Sequence, residues 1–201
     1  MRRHITGGDI ALIAVFAAFI AASTAIPEVT LAFGVPFSLQ TLAVVLAGMV
    51  LGPWRGAAAV LLYIVVGLAG APIFANLVAG PAVFADVTGG FVIGFLPAAW
   101  IVGAITVAFR RRGSLGYLQL VIAGLASIPV VYAFGIPWLA WRAQIGLADA
   151  AIAMGPFVIG DTLKVLLAAA IAAIIHRAYP QLLPVARPSR APVEREPAAT
   201  A

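Results

Sequence analysis

The chain contains no cysteine, which excludes disulfides, thiolate metal sites and a catalytic thiol. Charge is scarce too: 9% of the 201 residues are Asp, Glu, Lys or Arg, while 64% are hydrophobic. A soluble domain carries about 25% charged residues, because it needs a polar shell. With so few charges, the outer surface of this chain must face lipid. Lysine is nearly missing as well. Lys164 is the sole one, between Leu163 and Val165. A phosphate-binding loop ends in Gly-Lys-Ser or Gly-Lys-Thr, so ATP hydrolysis on this chain is excluded. The two histidines, His4 and His176, lie at the cytoplasmic ends of the first and last apolar runs and no His-Glu-x-x-His run exists, which argues against a zinc site or a membrane metalloprotease. No serine stands in a Gly-x-Ser-x-Gly setting, so a hydrolase has no nucleophile. A membrane enzyme acting on a lipid or isoprenoid would want acids or histidines clustered at one face, and the chain shows no such cluster. The polar inventory suits binding, and no cofactor is implied.

What is present is a series of apolar runs. A hydrocarbon core of roughly 30 Å needs about 20 apolar residues per helix. Runs at 9–26, 37–51, 56–70, 89–109, 115–133 and 156–177 predict an all-α bundle of six transmembrane helices. The second and third are short, to be completed by flanking loop residues or by local thinning of the bilayer. The first run also looks like a signal peptide, with Arg2 and Arg3 before it and Ser23, Thr24 and Ala25 imitating a cleavage site; five further spans follow, however, and need no removable leader. The chain thus divides into a terminus at 1–8, a membrane domain at 9–178 and a tail at 179–201. In that tail Pro180, Pro184, Pro188, Pro192 and Pro197 alternate with Arg and Glu, the composition of a disordered extension. The net charge of +5 comes from short basic runs between apolar segments, a topology signal and not a nucleic-acid-binding face. With both termini inside, Arg2, Arg3, Arg55, Arg110, Arg111, Arg112, Arg177 and the tail arginines all fall on the cytoplasmic side, leaving Arg142 outside. The positive-inside rule therefore places both termini in the cytoplasm.

The external connections, 27–36, 71–88 and 134–155, are apolar yet broken by proline and glycine. Irregular backbone of that kind must be buried by protein or line a cavity. Either the loops cap the bundle, or they fold over a pocket for a small, partly apolar ligand. Trp138 and Trp141 suit both readings. Among the polar residues, Asp161 and Lys164 are three apart and share a helix face. A cation at mid-bilayer costs about 2.5–3.5 kcal/mol, so a binding role competes with a structural one, in which Lys164 snorkels to the interface and Asp161 caps the helix. Asn76, in the apolar stretch 73–78, has an amide that needs a partner. Gln40 opens the second helix, and either amide could cap backbone instead. Asp86 reads as a ligand contact or as the cap of the fourth helix. Finally, Ala14, Ala18 and Ala22 recur at every fourth position of the first helix, with Ala17, Ala21 and Ala25 one face over. Such rows let another helix approach closely, inside the bundle or from a partner membrane protein.

Five stretches carry a family resemblance. These are Val35-Pro-Phe-Ser-Leu-Gln-Thr41, Leu51-Gly-Pro-Trp-Arg-Gly56, Gly70-Ala-Pro-Ile-Phe74, Thr88-Gly-Gly-Phe-Val-Ile-Gly-Phe95 and Gly155-Pro-Phe-Val-Ile-Gly-Asp-Thr-Leu-Lys164. In this order, across residues 10–177, they resemble the BioY family of biotin-specific S components of energy-coupling factor transporters. The resemblance implies a six-helix bundle in the bacterial cytoplasmic membrane that binds biotin under its external loops. It implies partners as well: a transmembrane coupling protein and a pair of ATPases, besides membrane lipid, with no nucleic acid, and with self-association left open. The family's polar binding positions would fall on Asn76, Asp161 and Lys164, and its docking row on Ala14, Ala18 and Ala22. Two departures stand out. Ser38 replaces the family's usual threonine, and Ala85-Asp-Val-Thr88 replaces a Gly-Pro-Thr. An S component for another small vitamin, a solitary carrier without ATPases and a purely structural scaffold are the remaining readings.

Overall fold

The computed structural model describes residues 5–25, 29–30 and 36–183. Helices make up the architecture: α1 (Gly7–Ala22), α2 (Gln40–Leu51), α3 (Pro53–Leu68), α4 (Gly89–Arg111), α5 (Tyr117–Leu125), α6 (Ser127–Ala143), α7 (Leu147–Ala153) and α8 (Gly155–Ala178). Extended structure among the described residues is one two-residue antiparallel pairing, β1 (Val29–Thr30) with β2 (Pro36–Phe37). Four helical stretches are long and apolar enough to cross a membrane: Gly7–Ala25, Gly89–Arg111, Tyr117–Ala143 and Gly155–Ala178. The apolar helices α2 and α3 are shorter, at 12 and 16 residues.

Why α2 can be short follows from its place. Apart from Thr41, every residue of this helix is buried, because α1, α3, α4 and α8 pack around it. Its ends meet protein, so it needs neither a polar belt nor full bilayer length. The α2–α4 crossing is tight: a Cβ on Gly48 would stand 2.6 Å from the Ala99 carbonyl oxygen. One turn on, a Cβ on Gly103 would stand 2.4 Å from the Gly52 carbonyl carbon. Small residues at such contacts replace the hydrophobic driving force that helices in lipid lack.

The fifth run does not stop at residue 133. α5 and α6 form one stretch from Tyr117 to Ala143, so the predicted irregular loop at 134–155 is mostly helical, completed by α7. Gly135 and Pro137 suggested a break. Instead, Gly135 leaves room for the Phe91 ring, 2.4 Å from where its Cβ would stand, and α6 runs through Pro137. The junction at Ala126 follows from Pro129, which offers no N–H to the turn before it, and Ser127 donates to the Gly124 carbonyl at 2.6 Å.

At the opposite end, Thr6 and Asp9 close a capping box on α1. Arg55 then ties four pieces of chain together. It pairs with Asp9 at 2.9 Å, donates to the Leu51 carbonyl at 3.1 Å and reaches the Leu182 carbonyl. Arg110 bonds the Pro180 carbonyl. The chain beyond 178 therefore continues as a single 3-10 turn, Pro180–Leu182, and Leu183 is buried. The remainder of the proline-rich tail lies outside the described residues, as do Arg2 and Arg3.

Candidate ligand-binding site

α8 starts at Gly155 with Pro156 in its first turn, where a missing N–H costs nothing. Its buried residues include Phe157, Gly160, Asp161, Lys164, Val165 and Ala168, a stripe at helical spacing that faces the bundle. Asp161 and Lys164 lie on that stripe. Lys164 is 6% exposed and Asp161 5%, so the lysine does not snorkel and the aspartate does not cap. Lys164 Nζ meets Asp161 Oδ1 at 3.0 Å, and the Tyr132 hydroxyl donates to Asp161 Oδ2 at 2.9 Å. A buried ion pair persists in an apolar setting when additional hydrogen bonds satisfy its remaining atoms. Tyr132 supplies one.

These groups border a small, partly open cavity of about 50 Å³, concave and mostly apolar as small-molecule sites are. Phe91, Val92, Phe95 and Val131 give it apolar walls from α4 and α6; Met154, at the α7–α8 junction, and Phe157 of α8 close it. Ser38, Gln40 and Thr88 add polar atoms. Gln40 is 3% exposed. Its amide donates to the Tyr63 hydroxyl at 2.6 Å, and its oxygen accepts from Ser38 at 3.1 Å. Ser38 thus uses its hydroxyl to orient the glutamine.

Two predicted residues fall elsewhere. Asn76 is exposed, at φ 55 and ψ 27 in the turn Ala75–Leu77. Asparagine enters this left-handed region more readily than most residues, and here its neighbour Ala75 lines the cavity instead. Asp86 is not a lining residue either. Its carboxylate accepts from the backbone and hydroxyl of Thr88, at 3.0 and 3.1 Å, so it shapes the entry to α4 from two residues before the helix cap. Tyr132 and Thr88 were missed by sequence reasoning. A tyrosine in an apolar span reads as core, and a threonine before Gly-Gly reads as a turn.

On the outside of α1, Ala14, Ala18 and Ala22 are all exposed, whereas Ala17 is buried against the bundle. The first row therefore faces outward throughout, while the second turns from buried at Ala17 through half-buried at Ala21 to exposed at Ala25.

The fold and cavity can be set beside known proteins. The BioY family model matches residues 1–181. The chain belongs to the BioY family. Two similar proteins are the biotin transporter BioY of Rhodobacter capsulatus, 40% identical over 192 residues (91% of this chain, 98% of that protein), and its namesake from Rhizobium etli, 38% identical over 179 residues (87% and 96%). Among solved structures, an S-component for biotin from an ECF-type ABC transporter superposes with a TM-score of 0.80 at 25% identity, covering 87% of this chain and 95% of that one. The family model's span, residues 1–181, takes in all eight helices and every residue that lines the cavity of this BioY-family chain.

Proposed function

We propose that this chain captures biotin and moves it across the cytoplasmic membrane as the substrate-specific subunit of an energy-coupling factor transporter. The observation that carries the reading is the Tyr132–Asp161–Lys164 group lining a largely apolar cavity, its aspartate and lysine both buried. Burying charge in lipid-embedded protein is costly, and intramembrane ionisable residues ordinarily serve a substrate. Biotin matches the chemistry: an apolar fused ring and methylene chain for the walls, a ureido group that donates and accepts, and a carboxylate. In this reading Lys164 attracts the carboxylate and Asp161 accepts from one ureido N–H. Asn76 joins them when the turn at 75–77 closes over the ligand, and Gln40 and Asp86 hold the cavity rim.

The bundle has six membrane helices in this reading, α5 and α6 counting as one, with both termini in the cytoplasm. The four long spans and the positions of Arg55, Arg110, Arg111 and Arg112 support that arrangement. Energy comes from a coupling membrane protein and its ATPases, which dock on Ala14, Ala18 and Ala22. Binding of labelled biotin to purified protein, in competition with riboflavin and thiamine, tests the ligand. Saturable binding displaced by biotin alone is expected; displacement by another vitamin at equal strength would refute the assignment. Uptake in cells with and without the ATPase module separates a subunit from a solitary carrier.

A further inference from the structure

Thr88 is 7% exposed and lines the cavity. It stands at the cap position of α4, where a threonine hydroxyl ordinarily accepts a bond from a first-turn N–H. Here it makes no such bond. Its O–H donates instead to Asp86 Oδ1 at 3.1 Å, and the same oxygen receives the Thr88 N–H at 3.0 Å. A hydroxyl has one proton and two lone pairs, and an ionised carboxylate can only accept. With its proton committed to Asp86, the Thr88 oxygen offers the cavity lone pairs alone.

Asp86 is itself held from two sides. Trp138 Nε1 donates to its carbonyl at 3.0 Å, and the Arg142 guanidinium bonds the carbonyl of Ala85. Trp138 packs so closely on α4 that a Cβ on Gly90 would stand 2.3 Å from its own Cβ. The backbone of Asp86, whose carboxylate fixes the Thr88 hydroxyl, is thereby anchored to α6, the helix that also carries Tyr132.

We propose that Thr88 is a ligand-recognition residue, accepting a hydrogen bond from an N–H of the bound molecule, with Asp86 as the positioning residue that turns its hydroxyl. Resting on the reading that the ligand is biotin, this assigns a ureido N–H to Thr88. Lys164 and Tyr132 each donate to Asp161, and Thr88 adds a second acceptor to the same cavity.

Affinities of the purified full-length chain for biotin, and for biotin methylated at one or the other ureido nitrogen, test the assignment by calorimetry. T88V removes the hydroxyl at nearly constant shape and should weaken biotin by about tenfold, the factor that one lost hydrogen bond gives. T88S keeps the hydroxyl and should stay within about threefold of the parent. Methylating the nitrogen that faces Thr88 should remove the T88V effect, leaving less than about a twofold difference between parent and variant, since two changes that break one contact are not additive. A purely structural role for Thr88 would weaken all three ligands equally, and that result overturns the proposal. So does a T88V chain that binds biotin like the parent. A parent that binds no biotin overturns the ligand assignment itself, which distinguishes the two failures.

Discussion

Replacing Lys164 by methionine keeps most of the side-chain volume and removes the charge. Its ammonium lies 3.0 Å from Asp161, and the two side chains are 7% and 8% exposed. At 5% exposed, Asp161 leaves little room for water to take over the abandoned carboxylate. Breaking a buried pair from one side costs about 3–5 kcal/mol, mostly because the other charge is left uncompensated. In a chain of this length each kcal/mol moves the melting midpoint by about 2–4 °C, so K164M should melt roughly 6–20 °C below the parent in detergent. The double variant D161N/K164M removes both charges, and its asparagine oxygen still accepts from Tyr132. Its midpoint should return to within about 3 °C of the parent. Biotin affinity should not return, because a hydrogen bond to a charged group is worth about 1.5–3 kcal/mol, or roughly 10- to 150-fold. Thermal melts of ligand-free protein and binding isotherms on the same preparations separate the two effects. If K164M melts like the parent, or the double variant melts no higher than K164M, the pair is not a closed buried unit and the reasoning fails.

Y132F removes one of the two bonds that satisfy Asp161 and should weaken biotin by about 10-fold or more while the lysine is intact; an unchanged isotherm would show that Asp161 does not need orienting. G90A drives a methyl against Trp138 and the Phe134 carbonyl oxygen, 2.3 and 2.5 Å away, and overpacking of that kind costs about 1–3 kcal/mol, read as a lower melting midpoint. A18L enlarges an exposed residue of α1, so biotin binding should stay within about twofold while ATP-driven uptake in cells containing the coupling module falls by at least about tenfold; parallel loss of both would place Ala18 inside the bundle's packing.

Hydropathy made α4 and α8 legible because each is a long unbroken apolar run, and scarcity of charge made Asp161 and Lys164 stand out. Their separation of three residues placed them on one face, and the structure puts that face inward. The end of α6 was not legible. Gly135 and Pro137 carry the local signature of a break, yet Gly135 is needed to admit Phe91 and the helix continues past both, so tertiary packing overrides the local pattern. The outward turn of Ala14, Ala18 and Ala22 could not be told from the inward turn of Ala17, since both rows have the same spacing and composition. Only neighbouring helices distinguish them. Tyr132 and Thr88 escaped for a related reason: each becomes polar in function through a partner distant on another helix or committed two residues back, Asp161 for one and Asp86 for the other.

Equilibrium binding of labelled biotin to the purified chain, parent against D161N/K164M, bears most directly on the buried group as the heart of a vitamin site. One saturable site per chain, displaced by unlabelled biotin and weakened at least about tenfold in the folded double variant, is the expected result. Equal binding by both proteins, or none by the parent, would contradict it.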